Sequence, residues 1–145
     1  MTDKKPFEFL EHVSDAFVAA YGNTLEEAFE NAALAMFEVM TDTTTIQPKN
    51  RDMVKVEAED KYSLLYTWLE QLLIKFETEG NLYSKFKIDK IEETPAGFSL
   101  TATILGELFN PEKHPSKTEI KGVTYHQMEI VEGKDGILIK VLFDI

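Results

Sequence analysis

The sequence predicts an α+β fold, with a mainly antiparallel β-sheet and two principal amphipathic helices packed on it in a single-domain sandwich. Two stretches repeat apolar residues at three- and four-residue steps, as amphipathic helices do. Most of the remaining chain alternates apolar and polar residues, as half-buried strands do. One-sided alternation favours antiparallel strands, because parallel strands are buried on both faces. No repeat or long linker divides the 145 residues, so we expect one domain over 1–145.

The two helices are predicted at residues 24–40 and 60–79. Thr24 followed by Glu27 is typical of a capping box, in which side chains satisfy the unpaired amides of the first helical turn. Gly80 suits a left-handed stop after the second helix. The apolar stripes are, in the first helix, Leu25, Ala28, Phe29, Ala32, Ala33, Met36, Phe37 and Met40, and, in the second, Leu64, Leu65, Trp68, Leu69, Leu72, Leu73 and Phe76.

Strands are predicted wherever the alternation is regular. The Gly-Lys-Asp-Gly sequence at 133–136 is typical of a hairpin connection between two late strands. The strands are expected at 7–10 and 17–21, as a pair around a turn at 12–15, and then at 54–58, 98–106 and 137–145.

Composition and charge limit the classes of function. The chain has 26 Asp and Glu against 15 Lys and Arg, a net charge of −11, and 43% of its residues are hydrophobic. Because phosphate binding needs a basic surface, any RNA is expected to be held by a partner. Cysteine is absent, which excludes disulfides, thiolate catalysis and zinc-finger architecture. No apolar run reaches the ~20 residues of a membrane span, and no apolar leader follows the first residues, so we expect a soluble cytoplasmic protein without membrane contact.

Histidine spacing indicates only a weak candidate site. The three histidines, His12, His114 and His126, lack HExxH spacing. Glu107, His114 and His126 could form a metal or catalytic group, but the spacing is generic and ordinary core or surface histidines are more common. Neither Gly-rich phosphate-binding loop is present, and no nucleophile-and-base pair stands out.

The end of the sequence carries two adjacent acidic groups. Asp144 is penultimate, and Ile145 supplies an α-carboxylate one residue later. If the last strand is ordered to its end, with Ile145 as the next inward position after Phe143, both carboxylates are fixed at the sheet edge. Asp15, at the turn after the first strand, is a third carboxylate. Fixed negative charges need a neutralising cation, and hard divalent ions prefer oxygen ligands. The alternative is a frayed and solvated chain end.

A second polar group precedes the last hairpin and contains Glu119, Lys121, Tyr125 and His126. In a regular strand Glu119 and Lys121 share one face, and Gly122 permits a bulge that resets the alternation. A fixed lysine could engage a phosphate or a partner's carboxylate. The plainer interpretation is a polar strand in which Lys121 pairs with Glu119.

Several of these residues belong to motifs that span essentially the whole chain. The motifs are 9–15 (FLEHVSD), 21–33 (YGNTLEEAFENAA), 64–73 (LLYTWLEQLL), Gly106-Glu107, His114, 119–126 (EIKGVTYH) and the terminal Asp144-Ile145. In order, spacing and chain end, they resemble the archease family. The departures from the family pattern are small. Val13-Ser14 replace the usual Thr-Ala, Ala16-Phe17 replace the common Ile-Gly, and Gly122 lies where Ala is frequent. None of these changes removes a carboxylate.

Archeases are partner proteins of RtcB-type RNA ligases, which join a 2′,3′-cyclic or 3′-phosphate RNA end to a 5′-hydroxyl, notably in tRNA splicing. The resemblance implies a non-enzymatic activator that promotes formation of the ligase–guanylate intermediate, supports multiple turnover and broadens nucleotide use. The implied partner is the ligase, and the resemblance implies that RNA is contacted only indirectly, through the ligase.

The resemblance also implies one divalent cation, with calcium as the first choice and magnesium or manganese as alternatives. Its implied ligands are Asp15, Asp144 and the carboxylate of Ile145. Lys121 is expected on the functional surface, and more weakly its neighbours Glu119, Tyr125 and His126.

Two other classes of function stay open. A general chaperone-like modulator of RNA-processing proteins would expose large apolar patches. A small metal-dependent hydrolase could use the three carboxylates, although no general base beyond them is evident. Ligation assays with and without the protein would separate these classes from an activator.

Overall fold

The computed structural model describes residues 5–10 and 15–145. Within these ranges it contains seven strands, two α-helices and a short 3-10 turn at Thr43–Thr45, which confirms the predicted α+β class. In chain order the elements are β1 (Phe7–Leu10), β2 (Asp15–Gly22), α1 (Leu25–Met40), β3 (Asn50–Ala58), α2 (Lys61–Glu79), β4 (Asn81–Thr94), β5 (Gly97–Leu108), β6 (Gly122–Gly133) and β7 (Gly136–Asp144).

Helix α1 begins at the predicted capping residue. The Thr24 side chain accepts a hydrogen bond from the amide of Glu27 at 3.1 Å. The Glu27 carboxylate accepts from the amide of Asn23 at 2.5 Å, so the returning bond of the expected capping box goes to the residue before the cap. At the other end, the amide of Thr41 closes the last turn on the carbonyl of Phe37 at 2.9 Å.

Helix α2 has a complete capping box and a left-handed stop. The Asp60 carboxylate accepts from the Ser63 amide at 2.8 Å, and the Ser63 hydroxyl accepts from the Asp60 amide at 3.2 Å. Gly80 follows with φ of 75°, a conformation that glycine adopts without steric cost. Among the described residues, no helix combines the length and apolar character needed to cross a membrane.

The strands form two antiparallel sheets. The first has the order β1-β2-β7-β6 and the second the order β3-β5-β4. The predicted N-terminal strand pair is confirmed from Phe7 opposite Ala20 to Leu10 opposite Phe17. Of the turn predicted at 12–15, residues 12–14 lie outside the described residues, and Asp15 is the first residue of β2. The predicted hairpin is also confirmed, with Gly133 opposite Gly136.

Both helices contact both sheets, so the two sheets share one core. Helix α1 packs against β2 and β7 on one side and β4 on the other, while α2 packs against β6, β3, β5 and β4. This position explains why Ala35 and Val39 of α1 are buried in addition to the predicted stripe. Trp68 of α2 is fully buried and ties the two helices together through a 3.0 Å hydrogen bond from its Nε1 to the carbonyl of Phe29.

Two strands differ from the sequence prediction. Strand β4 was not predicted, because its register shifts between Tyr83 and Lys85 and again between Ile88 and Lys90. Each such irregularity interrupts the period-two pattern that reveals a strand. Strand β6 begins only at Gly122, and its irregularity lies after Thr124 rather than at the glycine.

Candidate functional site

The register of three strands brings two predicted carboxylates together. Asp15 at the start of β2 lies directly opposite Asp144 at the end of β7, and Gly122 at the start of β6 lies opposite Asp144 on the other side. Residues directly opposite in an antiparallel pair place their side chains on the same face of the sheet, with Cα atoms about 4.5–5.5 Å apart. Asp15 is half-buried and Asp144 is exposed, so the face they share is open to a ligand or partner.

The residue after Asp144 continues toward the core. Phe143 is fully buried, and the partly buried Ile145 packs against the core cluster. The inward position expected for Ile145 is therefore confirmed, and this residue packs against the core rather than being frayed and solvated.

The donor chemistry of this sheet end fits a hard divalent cation. The two side-chain carboxylates supply only oxygen, which calcium, magnesium and manganese prefer. Among the described residues, no group of three or more His, Asp or Glu side chains is arranged to hold a metal.

Lys121 lies at the same sheet end as Asp15 and Asp144, on the other side of β7 from Asp15. Its amide donates a 2.6 Å hydrogen bond to the carbonyl of Asp144, which fixes the lysine backbone beside the carboxylate pair. The preceding residue, Ile120, is 2% exposed and anchors the segment in the core, whereas Lys121 and Glu119 are exposed. Lys121, Asp144 and Asp15 thus share one end of the first sheet.

Tyr125 and His126 lie in a bulge of β6 that faces α2. Thr124 pairs with Leu142 but Glu129 pairs with Lys140, so β6 has three extra residues between these points. Gln127 in this bulge has φ of 58°, which is uncommon for a residue other than glycine. Tyr125, 54% exposed, stacks on Tyr66 of α2 with ring centroids 4.5 Å apart and an interplanar angle of 8°. The bulge therefore directs Tyr125 to α2 rather than to Lys121.

The weak Glu107–His114 candidate is a buried hydrogen-bonded pair. His114 is 1% exposed, its Nε2 lies 2.9 Å from the Glu107 carboxylate, and its Nδ1 accepts from the amide of Asn110 at 2.9 Å. Because Nδ1 accepts, the proton sits on Nε2 and is donated to Glu107. The described residues give no contact between this pair and His126, whose amide donates to Thr124. The predicted three-residue group is therefore not assembled by the described contacts.

Several donors converge on Glu107. Lys113 Nζ lies 2.7 Å from the carboxylate and the amide of Gln47 lies 2.8 Å from it, while Lys49 Nζ is 3.9 Å away. The bond from Lys113, followed by those from Gln47 and His114, outweighs burial and lowers the pKa of Glu107 to about 2. Glu107 therefore acts as the ionised anchor of the segment that follows β5.

That segment, 109–121, is tied to the rest of the fold along its length. Its first residue, Phe109, donates its amide to the carbonyl of Gly80 at 2.7 Å. The amides of Lys117 and Thr118 donate to the carbonyls of Met40 and Val39 at 3.0 and 3.2 Å, which satisfies acceptors at the end of α1. With Glu107 at its start and Asp144 at its end, the segment holds Lys121 in a defined position.

The family follows from comparison with known proteins. Residues 7–145 match the model of the Archease protein family (MTH1598/TM1083). The chain belongs to the archease family. It is 48% identical to the protein archease of Methanothermobacter thermautotrophicus over 141 residues, which are 97% of this chain and 99% of that protein. It is 45% identical to the protein archease of Thermococcus kodakarensis over 132 residues, 91% and 92% of the two chains.

Solved archease-family structures have the same fold. The solution structure of Methanobacterium thermoautotrophicum protein 1598 has a TM-score of 0.82 and 43% identity, covering 97% of this chain and 99% of that one. The crystal structure of a Thermotoga maritima archease, described as a possible chaperone, has a TM-score of 0.62 at 21% identity, covering 100% and 99%. The second likeness concerns the fold alone.

The acidic pair is apparent from the sequence, whereas the network that surrounds Glu107 is not. Gln47 and Lys49 lie about sixty residues before Glu107 in the chain, and no local pattern connects them to it. The sequence indicated this network only through a charged residue at the end of a strand that alternates apolar and polar residues, followed by a lysine and a histidine.

Proposed function

We propose that this chain is a non-enzymatic activator of an RtcB-type RNA ligase in tRNA splicing or RNA repair. The observation that carries the proposal is the meeting of Asp15, Asp144 and Lys121 at one open sheet end in a chain that belongs to the archease family. These residues offer both signs of charge at one surface, and the sequence contains no Gly-rich phosphate-binding loop.

One divalent cation, calcium before magnesium or manganese, completes this sheet end in the proposal. Asp15, Asp144 and the carboxylate of Ile145 would hold it, and it would neutralise their charges and bridge to oxygen ligands of the partner. Lys121, fixed through its own amide, would present its ammonium group to a phosphate or carboxylate of the ligase.

The proposed partner contact follows from charge. A net charge of −11 repels free RNA but attracts a ligase surface that is basic because it binds RNA. Complementary charge would accelerate the encounter and orient the sheet end toward the ligase active site. This chain would then contact RNA only within the complex with the ligase. It would act in the cytoplasm, together with the ligase.

The test is ligase guanylylation, and then single- and multiple-turnover ligation, each measured with and without this protein. Lys121→Ala and Asp144→Asn should fold normally and lose most of the stimulation. Lys134→Ala, in the β6–β7 hairpin, and Glu93→Gln, in the second sheet, make the same charge changes elsewhere on the exposed surface and should keep it. Equal stimulation by all four variants, or none by the wild type, would contradict the proposal.

A chaperone-like modulator of RNA-processing proteins is the second candidate. The Thermotoga maritima archease is described as a possible chaperone, although its likeness to this chain concerns the fold alone. The exposed large apolar residues of the described part are distributed over several elements, including Phe9, Met53, Ile74 and Val131. Suppression of aggregation of several unrelated RNA-processing proteins would favour this candidate over a dedicated ligase activator. A metal-dependent hydrolase is ranked third, because the described residues of the sheet end offer no general base beyond the carboxylates that would hold the metal.

A further inference from the structure

Strand β3 is the one long and regular edge strand among the described strands. Each of the two sheets has two edge strands, and the other three are short or irregular. Strand β1 has only four residues, β6 has extra residues after Thr124, and the register of β4 shifts twice. Strand β3 pairs with β5 from Asn50 to Ala58 without a shift, and no other described strand pairs with it. Short or bulged edges resist pairing with another chain, whereas a long regular edge favours it.

The main chain of β3 turns alternate residues toward this free edge. The amide of Met53 donates to the Oδ1 atom of its neighbour Asp52 at 2.8 Å, so it is not bonded to β5. Because alternate residues of a strand direct their main-chain groups to opposite sides, the amides and carbonyls of Arg51, Lys55 and Glu57 lie on the same side as those of Met53. The side chains of these four residues are exposed. The edge therefore offers both main-chain hydrogen bonds and side-chain contacts to a further strand.

The charges along β3 balance, unlike those of the whole chain. Arg51 and Lys55 are matched by Asp52 and Glu57, in a protein whose net charge is −11. A second copy of the protein can therefore approach this edge without the repulsion that its average surface would cause. A strongly basic partner, in contrast, gains no attraction from a neutral edge.

Charges on an edge strand usually prevent pairing, but the order of those on β3 is complementary to itself. When all nine residues overlap antiparallel with the same strand of a second copy, Val54 lies on the twofold axis and Arg51 lies opposite Glu57. Met53, which is 57% exposed in one chain, then lies against the aliphatic stem of Lys55. An axis at Met53 would place Arg51 opposite Lys55, and an axis at Lys55 would place two lysines opposite each other. Because opposite charges stabilise facing strands and like charges destabilise them, the sequence of β3 selects the register centred on Val54.

We propose that β3 pairs antiparallel with β3 of a second copy of this chain, so that the second sheets of the two copies join into one. The interface is isologous, because each copy contributes the same strand about a twofold axis. Main-chain hydrogen bonds supply the affinity, and the Arg51–Glu57 pairs set the register. One pair of strands buries less than the ~1,600 Å² of a standard interface, so we expect a weak dimer at micromolar to millimolar concentration. The inference does not depend on the proposed function, since Asp15, Asp144 and Lys121 lie at an end of the first sheet.

The hydrogen bonds that β3 already makes are compatible with this pairing. Pairing transfers the Met53 amide from the Asp52 carboxylate to a carbonyl of the second copy. The Oδ2 atom of Asp52 keeps its bonds from Lys75 and Tyr83, at 2.8 and 3.2 Å, so the inner face of β3 stays as it is.

The test is sedimentation velocity of charge-reversed variants, from micromolar to millimolar protein and at physiological ionic strength. The wild type should move from the 16.6 kDa of one chain toward twice that mass as the concentration rises. Arg51→Glu places two acidic side chains opposite each other, and Glu57→Arg places two basic ones, so each variant alone should associate at least about tenfold more weakly. Mixed in equal amounts, the two variants restore opposite charges at both pairs and should associate as well as the wild type.

Two comparisons separate the β3 pair from a general effect of charge. Glu57→Arg reduces the net negative charge of each chain, so general repulsion alone would make this variant associate more strongly rather than more weakly. Lys134→Glu changes the net charge as Arg51→Glu does, but in the exposed β6–β7 hairpin, and should associate like the wild type. Circular dichroism should show that all variants fold, because every changed side chain is exposed.

Three outcomes would contradict the inference. A wild type that stays monomeric at millimolar concentration would overturn it and leave the β3 edge to a strand of another protein. A dimer that neither Arg51→Glu nor Glu57→Arg weakens would show that the copies meet elsewhere. Failure of the two mixed variants to associate would overturn the register centred on Val54.

Discussion

Replacement of Glu107 by glutamine tests whether one buried carboxylate anchors the segment that ends at Lys121. The Glu107 side chain is 6% exposed and accepts from Lys113, Gln47 and His114 at 2.7, 2.8 and 2.9 Å. All three bonds go to Oε2, so glutamine, which has the same size, can keep its carbonyl oxygen there but carries no charge. The variant therefore weakens all three bonds without creating a cavity.

The magnitude follows from the number and exposure of these bonds. Hydrogen bonds to a charged group contribute about 1.5–3 kcal/mol, against about 1 kcal/mol for neutral pairs. Lys113 is 37% exposed, so solvent screening reduces its share, whereas His114 is buried. We expect Glu107→Gln to lower the free energy of unfolding by about 2–3 kcal/mol at neutral pH.

The effect should depend on pH in a defined direction. The pKa of Glu107 in the folded protein, about 2, lies below its ordinary value of 4.5. A lowered pKa contributes stability that is fully present above the unfolded value and is lost as the pH falls through the folded value. The difference in stability between wild type and variant should thus be constant above about pH 5 and should shrink below it.

Urea unfolding followed by the fluorescence of the single, buried Trp68 measures this difference. Glu112→Gln is the matched control, because Glu112 is an exposed glutamate in the same segment and its change should stay within about 0.5 kcal/mol. Hydrogen exchange in 109–121 should accelerate in the Glu107 variant alone. Glu107 is not an ionised anchor if both variants are equally stable, or if their difference in stability persists undiminished at pH 2.

Three further predictions concern the sheet end. Chelator should lower the midpoint of thermal unfolding of the wild type, since a bound cation stabilises the folded state, and should leave Asp144→Asn unchanged; an equal shift in both would show that Asp144 is not a ligand. Lys121→Ala should keep the thermal midpoint within a few degrees and should reduce stimulation of ligase guanylylation at least tenfold, about 1.4 kcal/mol; unchanged stimulation would remove Lys121 from the site. Extension beyond Ile145 by a few Gly and Ser residues replaces its carboxylate with a neutral amide. We expect the extended protein to fold normally, bind metal more weakly and stimulate the ligase less, and we expect the largest loss when the extension is combined with Asp15→Asn. Full stimulation by the extended form at limiting metal would contradict the role of that carboxylate.

Local chemistry in the sequence determined the helices and much of the first sheet. Thr24 and Asp60 mark helix starts because their side chains accept from amides only three residues away, and Gly80 marks a stop through its own backbone freedom. The alternation of β5 and β7 is regular because each is a central strand with one face on the core. Such features depend on neighbours within a few residues, which a sequence displays directly.

The tertiary structure alone decided what depends on distant partners. It set the division of the strands into two sheets, and with it the burial of Ala35 and Val39 on a second face of α1. It also set the register that places Asp15 opposite Asp144, because pairing across more than a hundred residues is fixed by the packing of whole sheets. The network around Glu107 likewise arises where separate elements meet, and no periodicity in the chain encodes such a meeting.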